Sequence, residues 1–585
     1  MIYLAAIFAY MLGVVSLGVY RSRKVRTQAD FSVAGRSLSP WILVCTMLAV
    51  WIGTGSIVGN AEQAYKTGAS ALIIPMGAFL GLILLSMIAY KARSIEVSTV
   101  PEIIGSRYGQ TARFLAVIAL VIAYMVIVSY QFNAGGAVLE VITGDKDPVV
   151  LQSGNVVTRR QLTRGRVIFK PSPGFIGRAA VLCEPIDDPN QKKEPITYTI
   201  DVVPADHIIE ANRQLATKQN HVAIKQNNFV KLRPTLISKD VQSYRLTFLP
   251  VSGTLEIVEP KLTKERATVI AAVFIIAFTM SAGLMSLAYA DIVTGVIITV
   301  SLFVVLPMLL FKAGGFDGMH SAFAAMADKP QHMQFWGVYS RTEIINYLLP
   351  TFLLVMGDAN QYQRIFASRN AKGAKQAVTT MIFAALIIEM MIICCAWIAA
   401  SLTPDPENGN YILIYAARHY LPLAMGILFM VTVVGIITST ANSFLLVPAT
   451  TFIKDIYLNY INPGAGEKRS LFLSRLLVVV FGVIAYFVTF AFAETTGFFK
   501  KALYAYTIYG SAITPSLVAA MFWKRATTAG AIASIATGTV VTLLWSEVLL
   551  NYLPPALADL DAVLPAITLS VLALVGVSVL TGKRS

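Results

Sequence analysis

Long apolar stretches separated by short polar segments run through most of this sequence. Each stretch is long enough to cross about 30 Å of hydrocarbon as a helix. The stretches lie at 1–20, 41–61, 70–90, 112–140, 267–286, 289–311, 343–360, 377–401, 422–448, 472–493, 502–522, 528–550 and 563–581. We therefore predict an all-α multi-pass membrane protein with about 13 transmembrane helices.

The segment 144–265 breaks this pattern, because its apolar and polar residues alternate as they do in β-strands. The runs at 167–177, 179–183 and 196–203 alternate in this way, with Pro and Gly between them. The segment resembles the bacterial cadherin-like or immunoglobulin-like sandwich repeat. We predict transmembrane helices 1–4 in residues 1–143, a small inserted all-β domain in 144–265, and transmembrane helices 5–13 in 266–585.

The composition agrees with this division into a membrane part and an aqueous insert. The chain of 585 residues is 56% hydrophobic and 14% charged, whereas about a quarter of the residues of a soluble protein are charged. Between Asp145 and Glu265, however, 18 basic and 13 acidic residues occur. The insert therefore supplies only 5 of the net +15, and the rest lies in membrane loops. This removes the case for a nucleic-acid partner.

Basic residues concentrate in alternate loops, which is how cytoplasmic loops are marked in membrane proteins. The first such loop directly follows the first apolar stretch, and no basic residue precedes that stretch. The basic residues are Arg21, Arg23, Lys24, Arg26, Lys91, Arg93, Arg107, Arg364, Arg369, Lys372, Lys375, Lys454, Lys468, Arg469, Arg475, Lys524, Arg525, Lys583 and Arg584. We predict a protein of the cytoplasmic (inner) membrane, with the N-terminus and the insert outside and the C-terminus in the cytoplasm.

The sequence offers no arrangement typical of an enzyme. It contains neither a phosphate-binding Walker loop nor a G-x-S-x-G nucleophile elbow, which argues against ATP hydrolysis and acyl transfer. Its four cysteines include only one, Cys183, in the insert, so a disulfide within the insert is not available. No Cys or His cluster has the spacing of a metal site. We therefore predict that the protein is not an enzyme.

Two apolar stretches contain residues that interrupt membrane helices. Gly53 and Gly55 lie near the middle of the second stretch, and the seventh contains Pro350 and the polar run 357–361. Unwound backbone frees carbonyl groups and helix ends, and transporters use these groups to hold ions and solutes near the membrane midplane. Glycines also mark close helix packing, so the second break is the less specific of the two signals.

Polar groups inside other stretches add further candidates. Asp291 and Glu389 are ionisable residues in apolar surroundings, where such residues often mark ion or solute pathways. In the ninth stretch, Ser439, Thr440 and Ser443 share one face of a helix. Neutral oxygens of this kind suit a hard cation such as sodium. Glu389 could carry a proton, but a hydrogen-bonded residue that faces the helix bundle and has no transport role is the favoured interpretation.

Several segments, in their order and spacing along the chain, resemble the sodium:solute symporter family. These segments are 30–36 (DFSVAGR), 52–55 (IGTG), 99–102 (TVPE), 107–109 (RYG), Asp291, Gln363–Arg364 and 454–457 (KDIY). The resemblance covers nearly everything except the insert. It implies a LeuT-like core of two inverted five-helix repeats, formed by stretches two to six and seven to eleven, in which the first helix of each repeat is broken.

The resemblance also implies sodium ligands. The family's principal sodium site falls on backbone carbonyls in the second stretch and on a carbonyl and two hydroxyls in the ninth, here Ala49, Ile52, Ile436, Ser439 and Thr440. Some members bind a second sodium ion through an acid and hydroxyls. Those positions correspond to Asp291, Ser439, Asn442 and Ser443, with an amide where such members have a hydroxyl.

The positions that would contact the solute agree less closely with the family. Trp51 stands where proline-transporting members have Asp and sugar-transporting members have Asn. Thr54, Asp358 and Gln361 are the other candidates for solute binding. Asp358 could instead pair with Arg364. The solute itself is not defined by these residues.

The predicted function is sodium-coupled import of a small organic solute by alternating access, with Na⁺ as the coupling ion and the lipid bilayer as the environment. One alternative is a membrane sensor that uses the same fold and binds a ligand or an unknown partner through its outer β domain. A second alternative is a proton-coupled symporter in which Glu389 or Asp291 carries the proton.

Overall fold

The computed structural model describes residues 2–22, 25–144, 148–163, 165–186, 195–203, 221–225, 230–232, 241–250, 252–326, 329, 331–403, 409, 411–491, 497–549, 552 and 560–582. Four of the basic loop residues named above, Arg23, Lys24, Lys583 and Arg584, lie outside these residues. The chain divides into two compact units. One comprises Met1–Leu139, Lys264–His320 and Gln331–Ser585, and the other comprises Glu140–Thr263 and Ser321–Pro330.

The first unit is built almost entirely of helices. In chain order the α-helices of both units are α1 (Ile2–Ser22), α2 (Gln28–Val33), α3 (Pro40–Trp51), α4 (Ala61–Thr67), α5 (Pro75–Ser94), α6 (Val100–Tyr108), α7 (Gln110–Thr143), α8 (Arg159–Thr163), α9 (Lys264–Lys312), α10 (Gly315–Ala324), α11 (Arg341–Gly357), α12 (Ala359–Ala367), α13 (Ala371–Leu402), α14 (Ile412–His419), α15 (Leu423–Phe452), α16 (Glu467–Val488), α17 (Phe498–Phe522), α18 (Thr528–Glu547) and α19 (Val563–Thr581). Two π-helical segments, Gly55–Asn60 and Ile453–Ile461, and two 3₁₀ segments, Ala34–Arg36 and Gly68–Ile73, lie between these helices.

Many of these helices are long and apolar enough to cross a membrane. Among the described residues, eight pass this test by length and composition, and nine do so if the bent pair Pro40–Trp51 and Gly55–Ile73 counts as one span. The fifth and sixth apolar stretches both lie within α9, which is interrupted at Gly283 by a non-helical backbone conformation (φ 68°, ψ 169°). The count of 13 spans stays a prediction.

Two helices are broken where the sequence contains the interrupting residues. Helix α3 ends at Trp51 because Ile52 leaves the helical region (φ −72°, ψ 93°), and the following helical segment is bent by 51° relative to α3. Asp358 (φ −56°, ψ 109°) separates α11 from α12. Each break exposes helix ends inside the helical unit, and these ends form the site described below.

A short parallel β-bridge joins the segment before α3 to the segment after α12. The Leu38 amide donates to the Ala367 carbonyl at 3.1 Å, and the Arg369 amide donates to the Leu38 carbonyl at 3.2 Å. The entrance to the first broken helix and the exit from the second are therefore held side by side.

The second unit contains the described β-strands of the insert. They are β1 (Val149–Leu151), β2 (Val156–Thr158), β3 (Val167–Pro171), β4 (Gly177–Pro185), β5 (Ile196–Val203), β6 (His221–Lys225), β7 (Val230–Lys231), β8 (Ser243–Phe248) and β9 (Gly253–Ile257). They form one sheet in the order β1-β9-β3-β7 and another in the order β2-β8-β4-β5-β6. All the pairings are antiparallel except that of β5 with β6.

Alternation along the strands supplies the core of this unit. In β4 and β5, residues facing one side are buried and those between them are more exposed. Val157, Phe169, Val181 and Leu246 are fully buried and belong to one apolar cluster drawn from both sheets. Cys183 lies in the same cluster, and its burial raises the pKa of the thiol to about 12.

Candidate functional site

The break after α3 lies against the hydroxyl groups of α15. The Thr440 hydroxyl oxygen lies 3.3 Å from the Ile52 carbonyl oxygen, 3.4 Å from that of Ala49 and 3.5 Å from that of Val50. The Ser439 hydroxyl lies 3.4 Å from the Ala49 carbonyl oxygen. These five residues bring two hydroxyls and three carbonyls to one point in the interior.

The local backbone explains why these carbonyls are available to another helix. Because Ile52 departs from helical geometry, the carbonyls of the last turn of α3 are not continued into a regular helix. Gly53 allows the close approach, since a Cβ atom there would lie 2.8 Å from Cγ2 of Thr440. Ile436, the remaining predicted ligand, is fully buried one turn before Thr440 on α15.

This set of atoms is chemically suited to a hard, singly charged cation. All its members are neutral oxygens, which bind such ions by replacing part of their hydration shell. No cluster of three or more His, Cys, Asp or Glu side chains with the geometry of a metal site occurs among the described residues. Carbonyl and hydroxyl oxygens are hard ligands, and a set made of them suits an alkali cation better than a soft transition metal.

Asp291 lies next to this set and is 2% exposed. Its carboxylate accepts hydrogen bonds from the Ser439 hydroxyl at 2.5 Å and from the Thr46 hydroxyl. Arg364 approaches the same carboxylate at 3.7 Å. Asp291 therefore has a positive partner, and through Ser439 it is one hydrogen bond away from the carbonyl-lined point.

Arg364 was predicted to lie in a cytoplasmic loop, and this prediction was wrong. The residue is fully buried on α12, where its guanidinium donates to Thr46 at 3.1 Å, to the Asn360 carbonyl at 3.2 Å and to Ser443 at 2.7 Å. The polar run after the break lets α12 carry this charge into the interior, where the Asp291 carboxylate and three oxygen acceptors compensate its burial.

The structure brings the four residues of the predicted second sodium site close together but engages two of them elsewhere. Ser443 accepts from Arg364, and the Asn442 side-chain oxygen accepts from Thr279 at 2.8 Å. Asp291, Ser439 and Asn442 border a cavity of about 10 Å³, close to the space that one water molecule needs. A role of this cluster in ion binding remains a prediction.

Three of the four residues predicted to contact the solute have partners within the protein. Asp358 caps α12 by accepting from the Asn360 amide at 3.1 Å, and it also accepts from the Tyr124 hydroxyl at 2.6 Å. Its predicted pairing with Arg364 is replaced by the pairing of Arg364 with Asp291. The side-chain amide of Gln361 donates to the Met47 carbonyl at 3.4 Å, and the Thr54 hydroxyl donates to the side-chain oxygen of Gln131.

Trp51, the fourth predicted residue, lines a separate cavity together with Glu389. This cavity has a volume of about 30 Å³ and is also bordered by Ser56, Asn60 and Tyr506. The cavity lies beside the segment Gly55–Asn60, which comes directly after the break in the chain. Trp51 thus lies at the same break as the ion candidates, whereas Asp358 and Gln361 lie at the second break and on α12.

Sequence reasoning missed several residues of the site. The Val50 carbonyl, the Thr46 hydroxyl and the Gln131 amide lie in apolar helices and carry no motif. Arg364 was visible as an arginine directly after a polar, broken stretch, which is the signal that could have placed it inside the protein.

A match to a protein-family model identifies the family of this chain. The model of the sodium:solute symporter family matches residues 31–153 and 261–538, more than half of the chain. The chain belongs to the sodium:solute symporter family. The interval between the two matched segments corresponds to most of the insert, and the family resemblance read from the sequence motifs is confirmed.

Curated relatives of this symporter family member are transporters with different solutes. A sodium/proline symporter from Haemophilus influenzae is 30% identical over 189 residues, which is 32% of this chain and 36% of the relative. A sodium/glucose cotransporter from Vibrio parahaemolyticus is 24% identical over 50% of this chain and 58% of the relative. The human high affinity choline transporter 1 is 26% identical over 49% of this chain and 51% of the relative. The chain thus spans about half the length of such relatives.

Solved structures share the fold. A Na⁺-coupled sialic acid symporter in a substrate-bound outward-open state superposes with a TM-score of 0.66 at 15% identity, covering 100% of this chain and 99% of that one. A nucleobase-cation-symport-1 family transporter in a closed conformation superposes with a TM-score of 0.51 at 11% identity, with 94% and 95% coverage. The family membership and the apolar helices identify this chain as a multi-pass membrane protein.

Proposed function

We propose that this family member is a sodium-coupled symporter that imports a small organic solute, with one Na⁺ bound by Ala49, Ile52, Ile436, Ser439 and Thr440. The observation that carries the proposal is the position of the Thr440 hydroxyl, within 3.5 Å of three carbonyls at the break of α3. Val50 is added to the ligands because its carbonyl faces the same hydroxyl.

The proposed ion couples to solute by joining two helices. Its ligands come from the break after α3 and from α15, so bound Na⁺ stabilises the arrangement in which these helices are in contact. The same break carries Trp51 into the second cavity. Sodium therefore favours the conformation that receives the solute, and the occupied site then closes toward the outside and opens toward the cytoplasm.

We propose a single sodium ion because of the charges around it. Asp291 already has Arg364 as a partner, so the pair is neutral and one Na⁺ adds a single positive charge to the interior. A second cation beside Arg364 would add another charge without an anion to balance it, which is costly at low dielectric. The Asp291 cluster then acts as a fixed pair that orients Ser439.

The remaining proposals concern the membrane in which the protein lies, the arrangement of its helices and the side of the membrane that the insert and the N-terminus face. We propose the cytoplasmic membrane as the location, a core of two inverted five-helix repeats, and the insert and the N-terminus outside. The support is the excess of basic residues in alternate loops and the two broken helices. For the insert, a folded sandwich without chemistry of its own is favoured over a ligand-binding or partner-binding module.

A thermal-shift screen of the purified protein against small solutes, with and without Na⁺, tests the function, because a ligand that binds the folded state raises the unfolding midpoint. Solutes that stabilise the protein are then tested for uptake into proteoliposomes. Uptake driven by a sodium gradient supports the proposal. The sensor alternative predicts ligand stabilisation without uptake, and the proton alternative predicts uptake that follows a pH gradient in sodium-free medium.

The sodium dependence of the initial uptake rate tests the number of ions. A single site predicts a Hill coefficient close to 1 for sodium at saturating solute. A coefficient close to 2 would overturn the single-ion proposal and assign the second ion to the cavity beside Asp291 and Asn442.

A further inference from the structure

Glu389 is a buried carboxylate that the sodium site does not use. It lies in the middle part of α13, is 4% exposed, and accepts hydrogen bonds from the Ser56 hydroxyl at 2.5 Å and the Asn60 amide at 3.1 Å. Both donors are neutral and come from the segment that follows the break of α3. The carboxylate is thus held in place, but these donors do not balance its charge.

Two other buried carboxylates of the helical unit have an arginine partner, whereas Asp358, like Glu389, accepts hydrogen bonds from neutral donors. Asp291 pairs with Arg364 at 3.7 Å, and Asp455 pairs with Arg113 at 2.5 Å. No ion pair of this kind involves Glu389 within the part of the chain that the structure describes, and the cavity beside it has no basic residue in its lining. An uncompensated carboxylate is costly in a membrane interior, so such a group commonly marks a place where a positive charge binds.

Three aromatic side chains, Trp51, Phe499 and Tyr506, border the cavity beside Glu389. Aromatic rings attract an ammonium group that lies over their faces. Its volume of about 30 Å³ provides room for about two water molecules. A solute larger than this enters only when a lining side chain moves, which fits a site that opens and closes during transport.

We propose that this cavity binds the positively charged ammonium group of the transported solute, with Glu389 as its counter-ion and the aromatic side chains as its walls. The solute class is therefore a small organic cation or an amine that is protonated at neutral pH. The inference rests on the proposed symporter function and names the substrate class of that function.

The position of Trp51 connects this cavity to the sodium site. Trp51 lies between Val50 and Ile52, whose carbonyls face Thr440, while its own side chain borders the cavity with Glu389. An ammonium group bound there and a sodium ion at the break therefore act on the same short stretch of backbone.

A matched pair of probes tests the charge requirement. tert-Butylammonium and tert-butanol have nearly the same shape and differ in charge. Each is titrated against the purified 585-residue protein in lipid nanodiscs with Na⁺ present. We expect tert-butylammonium to raise the unfolding midpoint and to change tryptophan fluorescence, with tert-butanol at least about tenfold weaker. Glu389→Gln keeps a group that can bond to Ser56 and Asn60, and it should weaken tert-butylammonium binding by at least about tenfold.

Controls separate this inference from the function on which it rests. Glu389→Asp keeps the charge and should retain more tert-butylammonium binding than Glu389→Gln does. Sodium alone should still raise the midpoint of Glu389→Gln, since Glu389 is not among the proposed sodium ligands. If sodium stabilises the parent but both probes bind it equally, the cation site is refuted and sodium coupling survives. The cation site would also be refuted if tert-butylammonium stabilised Glu389→Gln at the same concentration at which it stabilises the parent protein. Uptake in sodium-free medium that depends on Glu389 and follows a pH gradient would refute it as well.

Discussion

Replacing Thr440 with Val removes one hydroxyl from the proposed sodium site and nearly preserves side-chain shape. The hydroxyl lies 3.3 to 3.5 Å from three carbonyls, so it is central to the proposed ligand set. A polar contact to a charged group contributes about 1.5–3 kcal/mol, which corresponds to about 10- to 100-fold in affinity. We expect the sodium concentration that gives half-maximal stabilisation to rise by that factor.

The assay measures the unfolding midpoint as a function of sodium concentration, with potassium as the replacement cation so that the ionic strength stays constant. Thr438→Val provides the matched control. The Thr438 hydroxyl bonds back to its own helix, at 2.7 Å from the Val434 carbonyl and 3.1 Å from the Gly435 carbonyl. The same chemical change two residues away should therefore leave the sodium titration close to that of the parent.

Ser439→Ala extends the test to the second hydroxyl. Ser439 contacts one carbonyl of the break and donates to Asp291, so its loss also removes one of the hydrogen bonds to this carboxylate. We expect the double variant with Thr440→Ala to lose sodium-stimulated uptake while still inserting into the membrane. A sodium dependence equal to that of the parent, in correctly inserted protein, would refute the assignment of these two residues.

Two further predictions concern the charge network and the insert. Asp291→Asn leaves Arg364 buried without its charged partner and should destabilise the protein by about 3–5 kcal/mol. The double variant with Arg364→Gln should lose less stability than the sum of the two single variants. Additive losses of stability, measured by denaturant unfolding, would contradict the pairing. The thiol of Cys183, with its pKa raised to about 12, is protonated at pH 8 and should resist maleimide until denaturant exposes it, and rapid labelling of the folded protein at the rate of a free thiol would contradict its burial.

Sequence reasoning reached the ion candidates because their signals are local. Helical spacing places Ser439 and Thr440 on one face, and Gly53 in an apolar stretch indicates a break, so neither inference needs the rest of the fold. The family resemblance then supplied the carbonyls of Ala49 and Ile52. The alternating runs of the insert likewise coincide with β3, β4 and β5, because strand periodicity is readable in short windows.

The roles of the buried charges depended on partners that are distant in sequence. Arg364 and Asp291 are 73 positions apart in the sequence, and Glu389 and its hydrogen-bond donor Ser56 are 333 positions apart. Sequence alone therefore read Arg364 as a loop residue and left Glu389 between two interpretations. Only the tertiary structure brought Arg364 to Asp291 and left Glu389 facing a cavity with an aromatic wall.

The sequence by itself thus determined the membrane class, the family, the broken helices and the hydroxyl pair, because periodicity, apolar length and interrupting residues act over a few turns. The tertiary structure decided which buried charge is balanced and which is open to a ligand. That distinction follows from the low dielectric of the interior, where the energy of a charge depends on the groups within a few ångströms and not on its neighbours along the chain.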